Sequence, residues 1–126
     1  FPSMDLPILY ALTHPDRLAD AGVRRFDPVT AGPLTFEPVR HEAFGAFEAG
    51  VAAGRAGGTA PAVFNGANEV AVARFLESRL PFGGIAGVIA AVLERHEVAP
   101  VSNLADVQAA DAWARVAADE EARAWD

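Results

Sequence analysis

Cysteine is absent from this chain, which excludes disulfides, thiolate nucleophiles and zinc-thiolate sites and leaves nothing to mark an oxidising compartment. Lysine is absent too: all 10 residues counted as Lys+Arg are arginine. That removes a Walker-type phosphate lysine, a Schiff-base lysine and a lysine general base together. No apolar run approaches the roughly 20 residues needed to span a bilayer. Positive charge is scarce, with 10 Lys+Arg against 17 Asp+Glu and a formal net charge of -7, the opposite of the clustered basic surface that a phosphate backbone attracts. The expectation is a soluble, cytoplasmic protein with neither nucleic acid nor membrane as partner.

What is present points to a folded chain. Hydrophobic residues make up 52% and charged residues 21%, too apolar a balance for a disordered segment. A length of 126 residues suits a single core, or a small domain carrying an arm from a larger one. The chain opens on Phe1 without Met and without a charged-then-apolar leader, so its start is expected to lie upstream.

Asp5, Leu6 and Pro7 open a short helical signal, with Leu6, Leu9, Tyr10 and Leu12 at helical spacing, and His14-Pro15 ends it. From there to Val39 no helical period holds. Proline and glycine punctuate two short extended pieces, residues 23–27 and 34–37, which are expected to pair with each other or with a sheet outside the chain. After Arg40 a helical domain begins. Phe44, Phe47 and Val51 share one face until Gly54 and the Gly57-Gly58 pair, and Asn65 is placed to cap a helix running to about Arg79. Ile85, Val88, Ile89, Val92, Leu93 and His96 form the clearest helical face, which should be central, with His96 in its last turn. Ser102 or Asn103 can cap a short turn, and Asp111 a final helix with Trp113, Val116 and Ala117 inward. The expected fold is therefore mainly α, a C-terminal bundle of four to five helices preceded by an irregular linker arm with one short helix and two short strands.

Candidate chemistry is thin. His14, His41 and His96 are the side chains that titrate nearest neutrality. His41-Glu42 and His96-Glu97 each begin like a zinc-binding helix, but Gly45 and Pro100 stand where the second His would be. Gly54-Arg55-Ala56-Gly57-Gly58-Thr59 could cradle a phosphate on its backbone N–H groups, yet it follows a helix and lacks a Gly-Lys ending, so a helix stop is the better reading. Asp119-Glu120-Glu121 reads as a solvated acidic face. Asn65-Gly66-Ala67-Asn68-Glu69 crowds two amides and a carboxylate beside an apolar helix; cap chemistry accounts for it, with a polar ligand or partner chain as the other reading.

The motif Phe64-Asn65-Gly66-Ala67-Asn68-Glu69-Val70-Ala71-Val72-Ala73-Arg74-Phe75-Leu76 resembles the Leu-Asn-Ala-Ala-Asn-Glu-x-x-Val-x-x-Phe-Leu signature of the 1-deoxy-D-xylulose 5-phosphate reductoisomerase C-terminal domain. Pro2-Ser3-Met4-Asp5-Leu6-Pro7-Ile8 and Pro81-Phe82-Gly83-Gly84-Ile85 are similar to that family's flanking elements in the same order. The linker fits as well, through Phe26-Asp27 and Leu34-Thr35-Phe36-Glu37. Three departures stand out: Ser3 where the family usually has Asp, Asp5 where it has a basic residue, and Gly66 for Ala, the last costing about 1 kcal/mol of helix propensity at an interior position.

The resemblance implies that residues 1–14 are the tail of a central catalytic domain, 15–40 a linker arm and 41–126 a C-terminal helical bundle. It implies a homodimeric enzyme that rearranges 1-deoxy-D-xylulose 5-phosphate and reduces the product with NADPH to 2-C-methyl-D-erythritol 4-phosphate, aided by Mg or Mn. The NADPH-binding domain, metal ligands and catalytic groups would all precede this chain, leaving only Pro2 and Met4 as residues near the nicotinamide. No cofactor is expected on the fragment, and no catalysis from it. The competing expectation is a free-standing helical protein-interaction module.

Overall fold

The structure is a computed structural model that describes residues 3–23 and 26–125. It divides into two compact units, Phe1–Pro38 and Val39–Asp126.

The first unit carries α1 (Asp5–Thr13) and one helical turn, α2 (Pro28–Ala31). Helix α1 starts two residues before Pro7, with Met4 at its N-cap and the Asp5 N–H donating to Ser3 Oγ at 3.1 Å. Pro15 disfavours helical backbone at His14, and α1 duly ends at Thr13. The turn α2 forms because Asp27 accepts from the Val29 N–H at 2.9 Å and from the Thr30 hydroxyl at 2.6 Å, with Pro28 fixing the first helical φ. Neither short strand is found among the described residues: Arg24 and Arg25 lie outside them, and residues 34–37 have no regular structure. A four-residue extended piece has no stability without a neighbour to complete its hydrogen bonds. No described residue of this unit is buried, and Leu12, Val29 and Phe36 are at least 80% exposed.

The second unit holds the core. Its helices are α3 (Gly45–Ala56), α4 (Ala60–Leu76), α5 (Phe82–Arg95) and α6 (Leu104–Ala122), with 3-10 turns at His41–Ala43 and Arg123–Trp125. Helix α5 is central, as its periodicity implies: Ile85, Val88, Ile89 and Val92 are all buried. Around it pack Val63, Ala67 and Ala71 of α4, Leu80, and Ala110, Ala114, Ala117, Ala118 and Ala122 of α6. The aromatic pair expected on α3 is only half covered, Phe44 and Phe47 each being 50% exposed.

Helices α4 and α6 depart from the sequence expectation. Helix α4 begins five residues before Asn65, because Gly57 and Gly58 at φ +69° and +52° complete the preceding turn and Pro61 fits the new helix's first turn. Asn65 is thus interior and its amide donates to Glu69 at 2.8 Å. Helix α6 is a single unit rather than a turn plus a helix: the Asn103 side chain accepts from the Asp106 N–H, and the Asp106 carboxylate accepts from the Asn103 N–H. Asp111 lies inside it, and the inward stripe is alanine, with Val116 62% exposed and Trp113 38% exposed.

Glycine is required at position 58, where a Cβ would lie 2.4 Å from the Ala99 carbonyl oxygen. Gly58→Ala is expected to cost about 2 kcal/mol or more. Gly54→Ala, at an exposed helical position with nothing within 4 Å, is expected to stabilise by roughly 0.5–1 kcal/mol. Urea midpoints of the two variants check both signs.

Candidate functional site

Each histidine has its own surroundings. His14 meets Tyr10 edge-on at 5.6 Å, and the Arg17 guanidinium sits 4.8 Å from the same ring. His41 Nδ1 contacts Glu48 Oε1. His96 is the C-cap residue of α5, just past the last turn where the sequence placed it. Its Nε2 lies 2.7 Å from Thr59 Oγ1, and its ring lies 5.2 Å from Trp113.

Thr59, the one buried polar residue of the described chain, organises that corner. Its N–H donates to the Ala99 carbonyl at 3.0 Å, and its hydroxyl accepts from the Ala99 N–H at 3.0 Å. Those bonds clasp the segment after α5 onto the start of α4, beside an open groove of about 540 Å³ lined by His96, Pro100, Ser102 and Asp106. The glycine turn is therefore no phosphate cradle: the Gly57, Thr59 and Ala60 N–H groups all donate to backbone carbonyls.

The Asn65-to-Glu69 motif has a different use from a cap. Glu69 accepts from Arg115 of α6 at 2.8 Å as well as from Asn65, while Arg115 also grips Asp111 through Nε at 2.7 Å. Further along, Arg74 of α4 bonds Asp119, which also accepts from Arg123 at 2.9 Å. Arg95 of α5 donates to Glu121 at 2.6 Å and to Glu120 at 3.2 Å. The acidic run is thus a part-exposed charged surface whose carboxylates are paired to arginines, Asp119 to Arg74 and Arg123 and Glu120 and Glu121 to Arg95. The i,i+4 spacing of Asp111 with Arg115, and of Asp119 with Arg123, was the signal that could have found these residues.

Hydrogen bonds from Arg115, then from Asn65, hold the Glu69 carboxyl below its ordinary range, and Arg74 does the same for Asp119. Both groups thus stabilise the fold above their unfolded values near 4, and that contribution is lost as pH falls through the lower folded values. The melting temperature is expected to hold from neutrality to about pH 5 and to fall towards about pH 2. A Glu69→Gln, Asp119→Asn variant, melted over the same range, should show a shallower fall.

Among the described residues no group of three or more His, Cys, Asp or Glu side chains could hold a metal ion, so these residues do not fit a metal centre. Nor do the described residues include a glycine-rich strand-to-helix turn to seat a dinucleotide phosphate. Of the two residues expected near a nicotinamide, Pro2 lies outside the described residues, and Met4 stands 66% exposed at the start of α1. No helix among the described residues is long and apolar enough to cross a membrane.

These features define an all-helical packing domain whose ionisable side chains tie one helix to another. Comparison with known proteins then gives the family. The family model described as the DXP reductoisomerase C-terminal domain matches residues 1–117, and the chain belongs to that family. It is 48% identical over 118 residues to 1-deoxy-D-xylulose 5-phosphate reductoisomerase of Synechococcus sp. (strain JA-2-3B'a(2-13)), covering 91% of this chain and 29% of that protein. The same-named protein of Prochlorococcus marinus (strain MIT 9313) is 46% identical over 125 residues, covering 98% of this chain and 30% of the relative. Among solved structures, 1-deoxy-D-xylulose 5-phosphate reductoisomerase from Zymomonas mobilis in complex with NADPH superposes with a TM-score of 0.78 at 34% identity, over 97% of this chain and 32% of that one. The chain therefore spans about a third or less of the relatives it matches, and corresponds to their C-terminal portion.

Proposed function

We propose that this chain serves as the C-terminal part of an NADPH-dependent reductoisomerase that converts 1-deoxy-D-xylulose 5-phosphate to 2-C-methyl-D-erythritol 4-phosphate in non-mevalonate isoprenoid biosynthesis. The observation that carries this reading is the match along nearly the whole chain to proteins three times its length that bear that name. The helical bundle, residues 41–126, acts as structural support; residues 15–40 link it to a catalytic domain whose tail is residues 1–14. NADPH supplies the hydride and Mg or Mn assists the substrate in the full-length enzyme, both held by N-terminal and catalytic domains outside this sequence. Pro2 and Met4 line the pocket beside the nicotinamide in that assembly. The full-length protein works as a cytoplasmic homodimer.

The physical support is the contrast between the units. The bundle has its own apolar core, while the first unit exposes Leu6, Ile8 and Leu12 of α1, apolar surface that a larger enzyme would have reason to cover. The reading is tested by sequencing the reading frame upstream of Phe1. A frame that continues into a glycine-rich nucleotide-binding segment and an acidic metal site supports it. A stop codon immediately upstream would overturn it in favour of a free-standing interaction module.

A further inference from the structure

The corner where α4 begins carries a chain of hydrogen bonds with a fixed direction. Thr59 is 4% exposed, and among the described residues its hydroxyl oxygen meets two partners, the Ala99 N–H at 3.0 Å and His96 Nε2 at 2.7 Å. The Ala99 N–H is a donor by its chemistry, so it takes a lone pair of the oxygen and cannot receive the hydroxyl proton. That proton is left with His96 Nε2 as its acceptor. An imidazole nitrogen accepts only when it carries no proton, which in the neutral ring puts the hydrogen on Nδ1. In the reverse arrangement Nε2–H would donate, the Thr59 oxygen would accept twice, and a buried hydroxyl proton would be stranded at a cost larger than an average hydrogen bond returns.

What this chain holds is the connection from α5 to α6. Thr59 also donates its backbone N–H to the Ala99 carbonyl at 3.0 Å, so Ala99 is gripped at both of its polar groups. The His96 ring lies against Trp113 of α6, with centroids 5.2 Å apart. Four residues past Ala99, Asn103 opens α6 with its capping box.

We propose that His96, in its neutral form with the proton on Nδ1, is a positioning residue for this connection. It receives the Thr59 proton, which turns the Thr59 oxygen's lone pairs towards the Ala99 N–H and so seats the segment from which α6 starts. Hydrogen bonds arranged head to tail strengthen one another. Removing the terminal acceptor therefore weakens the Ala99 to Thr59 bond although neither of that bond's own partners is altered. A ring that only fills space beside Trp113 would have no such effect.

The test uses the 126-residue chain at about pH 8, above the ordinary titration range of imidazole. Long-range proton–nitrogen correlations of the His96 ring report its tautomer, and hydrogen exchange reports the Ala99 amide. The unsubstituted chain should show Nδ1–H with Nε2 unprotonated; Nε2–H as the principal form overturns the proposal. His96→Phe keeps an aromatic ring beside Trp113 but removes the acceptor, and should speed Ala99 exchange roughly 3- to 10-fold relative to the Ile89 amide, the scale of one hydrogen bond. Thr59→Ser should keep both the tautomer and the protection. Thr59→Val should lose both, and adding His96→Phe to it should speed Ala99 exchange no further. Losses that instead multiply in the double variant would show that the ring acts by packing alone, and would overturn the proposal. If the Val variant is unfolded by circular dichroism, the tautomer in the unsubstituted chain decides by the same criterion.

Discussion

A preparation whose intact mass corresponds to these 126 residues alone is expected to oxidise no NADPH when given 1-deoxy-D-xylulose 5-phosphate and Mg. Proton transfer and hydride reduction need an acid, a base and a bound cofactor converging within hydrogen-bond reach of one substrate. The histidines of this chain instead face separate neighbours: Tyr10 for His14, Glu48 for His41, Thr59 for His96. The carboxylates Glu69, Asp111 and Asp119 are engaged by arginines of the packed helices, and lysine is absent. The assay is absorbance at the reduced nicotinamide band, with a full-length enzyme as the positive control. Turnover by the mass-verified chain would show that a complete catalytic set lies within it and would end the support reading.

The second large effect is on stability. Ile89 is fully buried at the middle of α5 and is among the largest fully buried side chains of the core. Ile89→Ala removes three carbons where neighbours on α4 and α6 cannot all close in, and is expected to cost about 2–5 kcal/mol. For a bundle of this size that lowers the melting temperature by roughly 8–40 °C, since each kcal/mol moves it by about 4–8 °C. Val116→Ala, at a side chain 62% exposed, should stay within about 0.5 kcal/mol of the parent. Thermal melts of the pair measure the contrast. Equal losses from both would mean that α6 turns a different face to the core.

That contrast also marks where sequence patterns inform and where they do not. Helix α5 was legible because its inward residues are large, branched and set off by alanine and glycine on the other face. Helix α6 was misread at Val116 because its inward stripe is alanine, too weakly apolar to stand out from alanines on its exposed side. The start of α4 was misplaced because Asn65 has the chemistry of a cap, while the true start uses Pro61 and a glycine turn with no side-chain cap hydrogen bond. The strands expected at 23–27 and 34–37 could not be judged from local sequence, since a strand exists only through a partner.

The candidate site followed the same division. The polar motif at residues 65–69 was visible as unusual, but its use depends on Arg115, 46 residues away from Glu69, and no local pattern announces that pairing. Likewise Thr59 joins His96 across 37 residues. Family membership was legible for the opposite reason: it rests on the order of several short motifs along the chain, which needs no tertiary information.

The most direct test of the support role is to remove residues 41–126 from a full-length enzyme and assay what remains. If the bundle holds the catalytic parts in working geometry, kcat/KM should fall by at least about 100-fold, the scale of loss that follows from misplacing reacting groups by an ångström. An enzyme that keeps its full activity without those residues would contradict the account.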